Sequence, residues 1–108
     1  MTENFKIIDK QAVKEMVDNH KAVVVDVRDE NSFKKSHIYG AVHLTEENLD
    51  AFVAKTEKSH PVICYCYHGF SSQQAAQYLS QNGFTAVYSL EGGFEDWRQD
   101  YPISAGHE

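Results

Sequence analysis

The order of apolar and polar positions along the 108-residue chain predicts short strands that alternate with helices. Residues 22–27 and 62–65 are nearly continuous apolar runs, and a single acid, Asp26, interrupts the first of them. Runs of this kind are typical of parallel strands that are covered on both faces. Shorter apolar segments predict three further strands, at residues 5–8, 40–44 and 85–89.

Helices are predicted between these strands from capping residues and from apolar periodicity. Asp9 is placed to cap a first helix with one apolar face. That face is formed by Ala12, Val13, Met16 and Val17. A short helix is predicted around Phe33, over residues 31–36, and Thr45 is predicted to cap a helix over residues 46–55. Acidic residues in the first turn of that helix interact favourably with its dipole.

Glycine and proline mark the boundaries of the last predicted helices. A helix is predicted over residues 72–82, where Gly83 suits the C-terminal cap. The glycine pair at residues 92–93 predicts a turn, and the last helix, 94–101, ends before Pro102. Strands that alternate with helices in this way indicate an α/β domain with a mostly parallel sheet. We expect residues 1–108 to form one such domain.

Composition and charge narrow the range of partners. The hydrophobic fraction is 42%, which is enough for a core without disulfides. A net charge of -6 argues against a nucleic-acid or membrane-surface partner, and an anionic substrate would need local attraction. No run has the length of a membrane helix, and the first ten residues lack the pattern of a signal peptide. With two cysteines only, we expect a cytoplasmic protein, and we expect the tail 103–108 to be frayed.

Cys66 lies at the junction between the predicted strand 62–65 and the predicted helix 72–82. Ligands of open parallel sheets bind at such carboxyl ends of strands. Gly69 lets the intervening loop bend sharply, and successive N–H groups in such a bend can converge on an anion. The start of the helix adds unpaired amides and lowers the pKa of a cysteine from about 8.5 to roughly 3.5–7.5. Cys66 is therefore predicted to be a thiolate nucleophile that attacks an atom attached to an oxyanion group.

Position alone leaves other roles open for the two cysteines. Cys66 also fits a buried core residue, although the glycine and serines that follow it favour reactivity. Cys64, which lies within the apolar strand, is predicted to pack in the core. A metal site would need more ligands than His68 supplies nearby, and a disulfide between residues so close in a strand has poor geometry. We therefore predict no metal.

The loop also resembles that of phosphatases, in which an arginine follows the catalytic cysteine after five residues. Ser72 occupies that position, and residues 67–72 contain neither arginine nor lysine. Because a phosphoryl group with developing charge requires such a cation, the pattern disfavours phosphatase and arsenate-reductase chemistry. His68 either supplies partial positive charge to the site or is a solvent-exposed loop residue.

Four stretches resemble the rhodanese family of sulfurtransferases, and they occur in the family's order. Residues 24–33 and 36–41 resemble its N-terminal signature, residues 66–69 its active loop, and residues 90–97 its C-terminal signature. The combination is highly specific and spans most of the chain. It implies a rhodanese-like α/β fold with a five-stranded, mostly parallel sheet flanked by helices on both faces.

The resemblance also implies the chemistry. Cys66 would take the outer sulfur of thiosulfate, release sulfite and hold a persulfide, with no metal or organic cofactor. The acceptor would be cyanide, or a thiol or dithiol such as that of thioredoxin. The substrate-binding residues would be those of the loop: Tyr67, His68, Gly69, Phe70, Ser71 and Ser72.

Six residues outside the loop are expected to have structural roles. They are Asp26, Arg28, His37, Gly92, Gly93 and Trp97. Asp26 lies within an apolar strand and needs a partner, for which Arg28 is the candidate. His37 is expected to orient a loop rather than to transfer a proton, because departing sulfite needs little protonation.

The loop departs from the family pattern at two points. Phe70 replaces the asparagine of close relatives, and the loop lacks the cation that many members carry. We therefore expect weak thiosulfate binding and an apolar docking point at Phe70. A carrier that receives its persulfide from a protein donor is the main alternative to an enzyme. A non-catalytic regulatory domain is a further alternative, which the presence of Cys66 disfavours.

Overall fold

The computed structural model describes residues 5–105, which form seven strands and five helices. The strands are β1 (Lys6–Ile8), β2 (Val23–Asp26), β3 (His37–Ile38), β4 (Val42–His43), β5 (Val62–Tyr65), β6 (Val87–Leu90) and β7 (Ile103–Ser104). The helices are α1 (Lys10–Asp18), α2 (Glu30–Lys35), α3 (Leu49–Lys55), α4 (Ser71–Gln81) and α5 (Gly93–Trp97). Within these residues, no helix is both long enough and apolar enough to span a bilayer.

Five of the strands form one parallel sheet in the order β1-β6-β5-β2-β4. The predicted α/β class with a parallel sheet is thereby confirmed. β5 is the central strand, and it pairs with β2 on one side and with β6 on the other. Because all five strands run in the same direction, the segments that follow them lie at one edge of the sheet. Cys66 follows β5 at that edge.

Side chains of β5 alternate between two apolar layers, one on each face of the sheet. Ile63 and Tyr65 pack in a cluster that contains residues of α1 and α5. Val62 and Cys64 pack in a second cluster that contains residues of α3 and α4. Helices therefore cover both faces, as predicted. The continuous apolar sequence of β5 reflects this double burial.

The C-terminal segment is more ordered than the sequence suggests. Ile103 and Ser104 were expected to fray, but they form β7 and pair antiparallel with β3, which was not predicted. The indole Nε1 of Trp97 donates to the carbonyl of Pro102 at 3.0 Å, and this bond holds the segment beside α5. Residues 106–108 of the predicted frayed tail lie outside the described residues.

Two predicted helix boundaries are wrong for local reasons. Thr45 does not cap α3, because Thr45 and Asn48 exchange backbone-to-side-chain hydrogen bonds of 2.7 and 3.2 Å. These bonds close a turn, and the helix begins only at Leu49. The last helix, α5, ends at Trp97 rather than at residue 101, and residues 98–100 form turns. The Asp9 cap of α1 is confirmed, since its carboxylate accepts the backbone N–H of Ala12 at 2.9 Å.

Asp26, the last residue of β2, is completely buried and pairs with Arg28. The guanidinium Nη2 lies 2.7 Å from Oδ2, and the backbone N–H of Arg28 donates to Oδ1 at 2.8 Å. The same Nη2 donates to the carbonyl of Ser36 at 2.6 Å. The guanidinium carbon lies 4.3 Å from the ring centroid of Phe94. The ion pair therefore connects β2, the end of α2 and α5.

Removing one partner of this buried pair should be costly. We expect Arg28→Ala to lower the free energy of unfolding by about 3–5 kcal/mol, because it leaves the Asp26 carboxylate buried without a counter-ion. The exposed pair between Lys34 and Glu30 provides the control, and Lys34→Ala should cost about 0.5 kcal/mol or less. Urea denaturation measures both values, and equal losses would contradict the role of the buried pair.

Candidate active site

The nucleophile candidate lies in a short loop between β5 and α4. Cys66 is only 4% exposed, whereas the side chains of Tyr67, His68 and Phe70 are exposed. Phe70 is 77% exposed and Tyr67 is 39% exposed. The sulfur is therefore almost buried while its neighbours in the loop face solvent.

Two backbone amides point at the sulfur. The N–H groups of Gly69 and Ser72 each donate to Cys66 Sγ at 3.2 Å, and both residues are buried. Gly69 adopts a φ of +97°, and a Cβ at this position would lie 3.1 Å from the carbonyl oxygen of Leu90. Glycine thus satisfies both the left-handed backbone and the close approach. The Gln73 side chain donates to the Gly69 carbonyl at 2.9 Å and holds the peptide that follows Gly69.

The electrostatics favour ionisation of Cys66 and oppose ionisation of Cys64. Burial by itself would raise the pKa of Cys66, but hydrogen bonds from Ser72, Gly69 and His68 outweigh burial and hold the pKa below its ordinary value. The contributions come from the Ser72 side chain and from the amides of Ser72 and Gly69, followed by a smaller one from the amide of His68. Cys64 has no such donors, and burial raises its pKa to about 12. The Cys66 thiol therefore ionises at a lower pH than the Cys64 thiol does.

The backbone of the loop is hydrogen-bonded to the first turn of α5. The N–H groups of Phe94 and Glu95 donate to the carbonyls of Cys66 and Tyr67 at 2.8 and 3.1 Å. Gly93 makes this approach possible, because a Cβ there would lie 2.5 Å from the Tyr67 carbonyl oxygen and 2.6 Å from that of Cys66. These bonds fix the peptide planes between Cys66 and His68, directly before the Gly69 amide that donates to the sulfur.

Gly92 and Gly93 were predicted only as a turn. Gly92 precedes α5 as its N-terminal cap, in agreement with that turn. The backing contact between α5 and the loop was not predicted. Its sequence signal is a second glycine directly after a turn, where only one is needed to reverse the chain.

Tyr67 anchors the loop to α2. Its hydroxyl donates to Asp29 Oδ1 at 2.6 Å and is in close contact with the Ser32 hydroxyl. These bonds hold the pKa of Asp29 well below its usual range. Asp29 also caps α2 by accepting the N–H of Ser32 at 3.1 Å. Sequence reasoning missed Asp29 and Ser32, although their spacing is that of a helix cap.

Ser89 is another residue that sequence reasoning missed. It lies in β6, is completely buried, and places its hydroxyl oxygen 2.8 Å from that of Ser72. The Ser72 oxygen in turn lies 3.3 Å from Cys66 Sγ. A polar residue near the end of an otherwise apolar strand was the available signal. Ser71, in contrast to Ser72, is exposed.

The remaining predicted residues lie in the surrounding framework. His37 is buried in β3, and its Nδ1 lies 2.7 Å from the carbonyl oxygen of Phe33. Its ring stacks on that of Phe33 with a centroid distance of 3.9 Å. Trp97 is buried in α5. Among residues 5–105, no three His, Cys, Asp or Glu side chains are grouped so that they could hold a metal ion.

A cavity of about 420 Å³ opens beside Tyr67 and carries the positive charge that the loop lacks. Lys35, at the end of α2, and Arg98, directly after α5, line it together with Tyr67 and Glu95, and the Glu95 carboxylate lies 3.9 Å from the Arg98 guanidinium. Arg28 also borders the cavity, but its charge is compensated by Asp26. Cationic side chains thus come from segments next to the loop rather than from the loop itself.

Fold and site together define a rhodanese-like domain. The family profile of the rhodanese-like domain matches residues 9–100, and the chain belongs to this family. A curated relative, the thiosulfate sulfurtransferase GlpE of Stutzerimonas stutzeri, is 51% identical over 90 residues, which cover 83% of each chain. The thiosulfate sulfurtransferase GlpE of Vibrio cholerae is 45% identical over 104 residues, covering 95% of this chain and 98% of the relative. The predicted family is therefore confirmed.

A solved structure supports the same assignment of the fold. The crystal structure of the Alr3790 protein from Anabaena sp. superposes with a TM-score of 0.83 and 27% identity. The match covers 91% of this chain and 81% of that chain. The rhodanese-like arrangement inferred from the sequence signatures is confirmed.

The contact between α5 and the loop can be tested with a matched pair of glycine variants. Gly93 and Gly40 both have positive φ, but a Cβ at Gly40 would meet nothing within 4 Å. Gly40→Ala should cost about 1–2 kcal/mol of backbone strain. Gly93→Ala should cost about 1–3 kcal/mol more, because its methyl group would clash with the carbonyl oxygens of Cys66 and Tyr67. Chemical denaturation measures both, and equal costs would show that the close approach is not required.

The hydrogen bonds to Cys66 predict that its thiol ionises at a lower pH than a free cysteine does. In a Cys64→Ala variant, the ultraviolet absorbance of the thiolate reports Cys66 alone. A lowered pKa keeps the thiolate charged at lower pH. On acidification, the folded protein should therefore lose its thiolate absorbance at a lower pH than the protein unfolded in urea. In the unfolded protein, the thiol should titrate near the reference value of about 8.5. A folded midpoint at or above the unfolded one would refute this reading of the site.

Proposed function

We propose that this protein is a thiosulfate sulfurtransferase in which Cys66 is the nucleophile and carries sulfur as a persulfide. The observation that carries the proposal is the convergence of the Gly69 and Ser72 amides on Cys66 Sγ, at 3.2 Å each. Donors in this arrangement favour a thiolate and bind the oxyanion group of its substrate. The relatives named thiosulfate sulfurtransferase support the choice of donor.

The reaction proceeds in two displacements. The Cys66 thiolate attacks the outer sulfur of thiosulfate, the sulfur–sulfur bond breaks, and sulfite leaves with the bonding electron pair. The product on the enzyme is a persulfide anion. A nucleophilic acceptor then attacks the outer sulfur of the persulfide and restores the thiolate, so that cyanide becomes thiocyanate and a thiol becomes a persulfide. No electrons enter or leave, and this ping-pong scheme requires neither a metal nor an organic cofactor.

The amides of residues 67–72 bind the sulfonate end of thiosulfate and later the persulfide anion. Lys35, which lines the cavity beside Tyr67, attracts the anion locally against the net charge of -6, whereas Glu95 compensates part of the charge of Arg98. Tyr67 takes part through its backbone, because its hydroxyl is occupied by Asp29. Sulfite is a stable leaving group, so the scheme needs no general acid, and His37 orients β3 against Phe33 instead.

The acceptor in a cell is a thiol or a protein dithiol, with thioredoxin as the candidate. A reducing cytoplasm would keep Cys66 and the acceptor in the thiol form. Phe70 favours a protein as one of the partners, because a phenyl ring that is 77% exposed next to a nucleophile is suited to an apolar contact. The same feature supports the second candidate function, a carrier that receives its persulfide from a protein donor.

Intact mass after incubation with thiosulfate tests the first displacement. We expect the reduced protein to gain the mass of one sulfur atom and to lose it on addition of cyanide, because the persulfide forms and is then consumed. Cys66→Ser should gain nothing. Cys64→Ala is the matched control, and it should gain the sulfur because Cys64 is a neutral core residue.

The outcomes separate the two candidate functions. A gain that requires Cys64 would overturn the assignment of the nucleophile. A folded, reduced protein that gains no sulfur from thiosulfate, but does so from a persulfidated protein donor, would favour the carrier. In that case, Phe70→Ala should slow the transfer from the protein donor.

A further inference from the structure

Ser89 is a buried polar residue that the proposed mechanism does not use. It lies in β6, beside the central strand, and its register partner in β5 is Cys64. Its side chain is inaccessible to solvent, so it contacts neither substrate nor acceptor. A buried hydroxyl is costly unless it is hydrogen-bonded, and its partner here is the hydroxyl of Ser72.

The two serines form a chain of hydroxyl groups that ends at the sulfur. Ser89 Oγ lies 2.8 Å from Ser72 Oγ, which lies 3.3 Å from Cys66 Sγ. All three residues are buried. In such surroundings hydrogen bonds are strong, and each bond polarises the next. Ser89 therefore acts on the sulfur through Ser72.

We propose that Ser89 is a positioning residue that stabilises the Cys66 thiolate. Its hydroxyl donates a hydrogen bond to Ser72 Oγ, so that the Ser72 hydroxyl in turn donates a hydrogen bond to the sulfur. The proposal rests on Cys66 being the nucleophile of the proposed function. It adds a determinant of reactivity outside the loop, on a different strand of the sheet. The loop amides and the Ser72 hydroxyl donate hydrogen bonds to the thiolate directly, whereas Ser89 acts on it through Ser72.

The chain serves both protonation states because hydroxyl groups can donate or accept. With a neutral thiol, S–H donates to Ser72 Oγ and the Ser72 hydroxyl points toward Ser89. After ionisation the thiol proton leaves to solvent, and the two hydroxyls rotate so that Ser89 donates to Ser72 and Ser72 donates to the thiolate. Each serine keeps its own proton, and no proton passes along the chain.

Other titratable side chains do not account for the stabilisation of the Cys66 thiolate. Cys64, on β5, is the side chain whose charge interacts with Cys66, and its pKa of about 12 keeps it neutral. The packed elements also carry further titratable side chains: Tyr65 on β5, Tyr67 and His68 in the loop, Tyr78 on α4, Tyr88 on β6, and Glu95 and Asp96 on α5. Of these, only His68 is among the leading influences on the thiol, and it acts through its backbone amide. The hydroxyl chain and the amides are therefore the principal donors.

Thiolate titration by ultraviolet absorbance tests the proposal without any sulfur donor. All variants carry Cys64→Ala, so that the signal comes from Cys66. Ser72→Ala removes a direct donor and should raise the pKa by about one unit, and Ser89→Ala should raise it by roughly half as much, since it removes an indirect donor. At a pH below the midpoint, a half-unit rise lowers the thiolate fraction by about threefold.

The matched control is Val87→Ala, which removes buried packing from the same strand and leaves both hydroxyls in place. It should lower the free energy of unfolding without moving the thiolate midpoint. A midpoint that moves equally in Val87→Ala and Ser89→Ala would overturn the proposal, because the shift would then follow from loosened packing.

A double-mutant cycle tests whether Ser89 acts through Ser72. Once Ser72→Ala is present, adding Ser89→Ala should leave the midpoint unchanged. An equal further rise would show that Ser89 reaches the sulfur by another route, and no rise in either background would show that it has a packing role only. Because the titration contains no thiosulfate, its result is separate from the mass test of sulfur transfer.

Discussion

The backbone contact between the active loop and the first turn of α5 is the constraint on which the site depends. The amides of Phe94 and Glu95 bind the carbonyls of Cys66 and Tyr67, at a distance that only glycine at position 93 allows. These bonds fix the peptide planes between Cys66 and His68, and the next amide along the chain, that of Gly69, donates to Cys66 Sγ. A loop with exposed side chains is thus held both by backbone contacts with the neighbouring helix and by the bond from Tyr67 to Asp29.

This arrangement stabilises a negative charge at a sulfur that is almost buried, without a cation in the loop. Burial opposes the charge, and backbone amides and the Ser72 hydroxyl outweigh burial. Neutral donors stabilise the charge of the thiolate without adding a positive charge of their own to the loop. Lys35 and Arg98 lie beside the loop, where Glu95 compensates part of the charge of Arg98.

Particular residues show which features of the fold could be predicted from the sequence. The apolar runs of β2 and β5 predicted a doubly covered parallel sheet, since burial on both faces leaves a continuous hydrophobic pattern. The Asp9 cap was predictable because it is a contact between neighbours in the chain. β3 and β7 were not predictable, because two-residue strands have no pattern of their own and are held by Trp97 and Pro102. Thr45 was misread because the same residue type closes a turn with Asn48 as readily as it caps a helix.

The sequence by itself determined the class of fold, the packing of Cys64 and the position of Cys66 between a strand and a helix, because these follow from periodicity and from the order of residues. Only the tertiary structure decided which groups surround the sulfur. Ser89 on β6, Asp29 on the segment after β2 and Gly93 at α5 reach the loop from three separate parts of the chain. Their distances depend on how parallel strands place their carboxyl ends at one edge of the sheet, and linear spacing contains no record of that proximity.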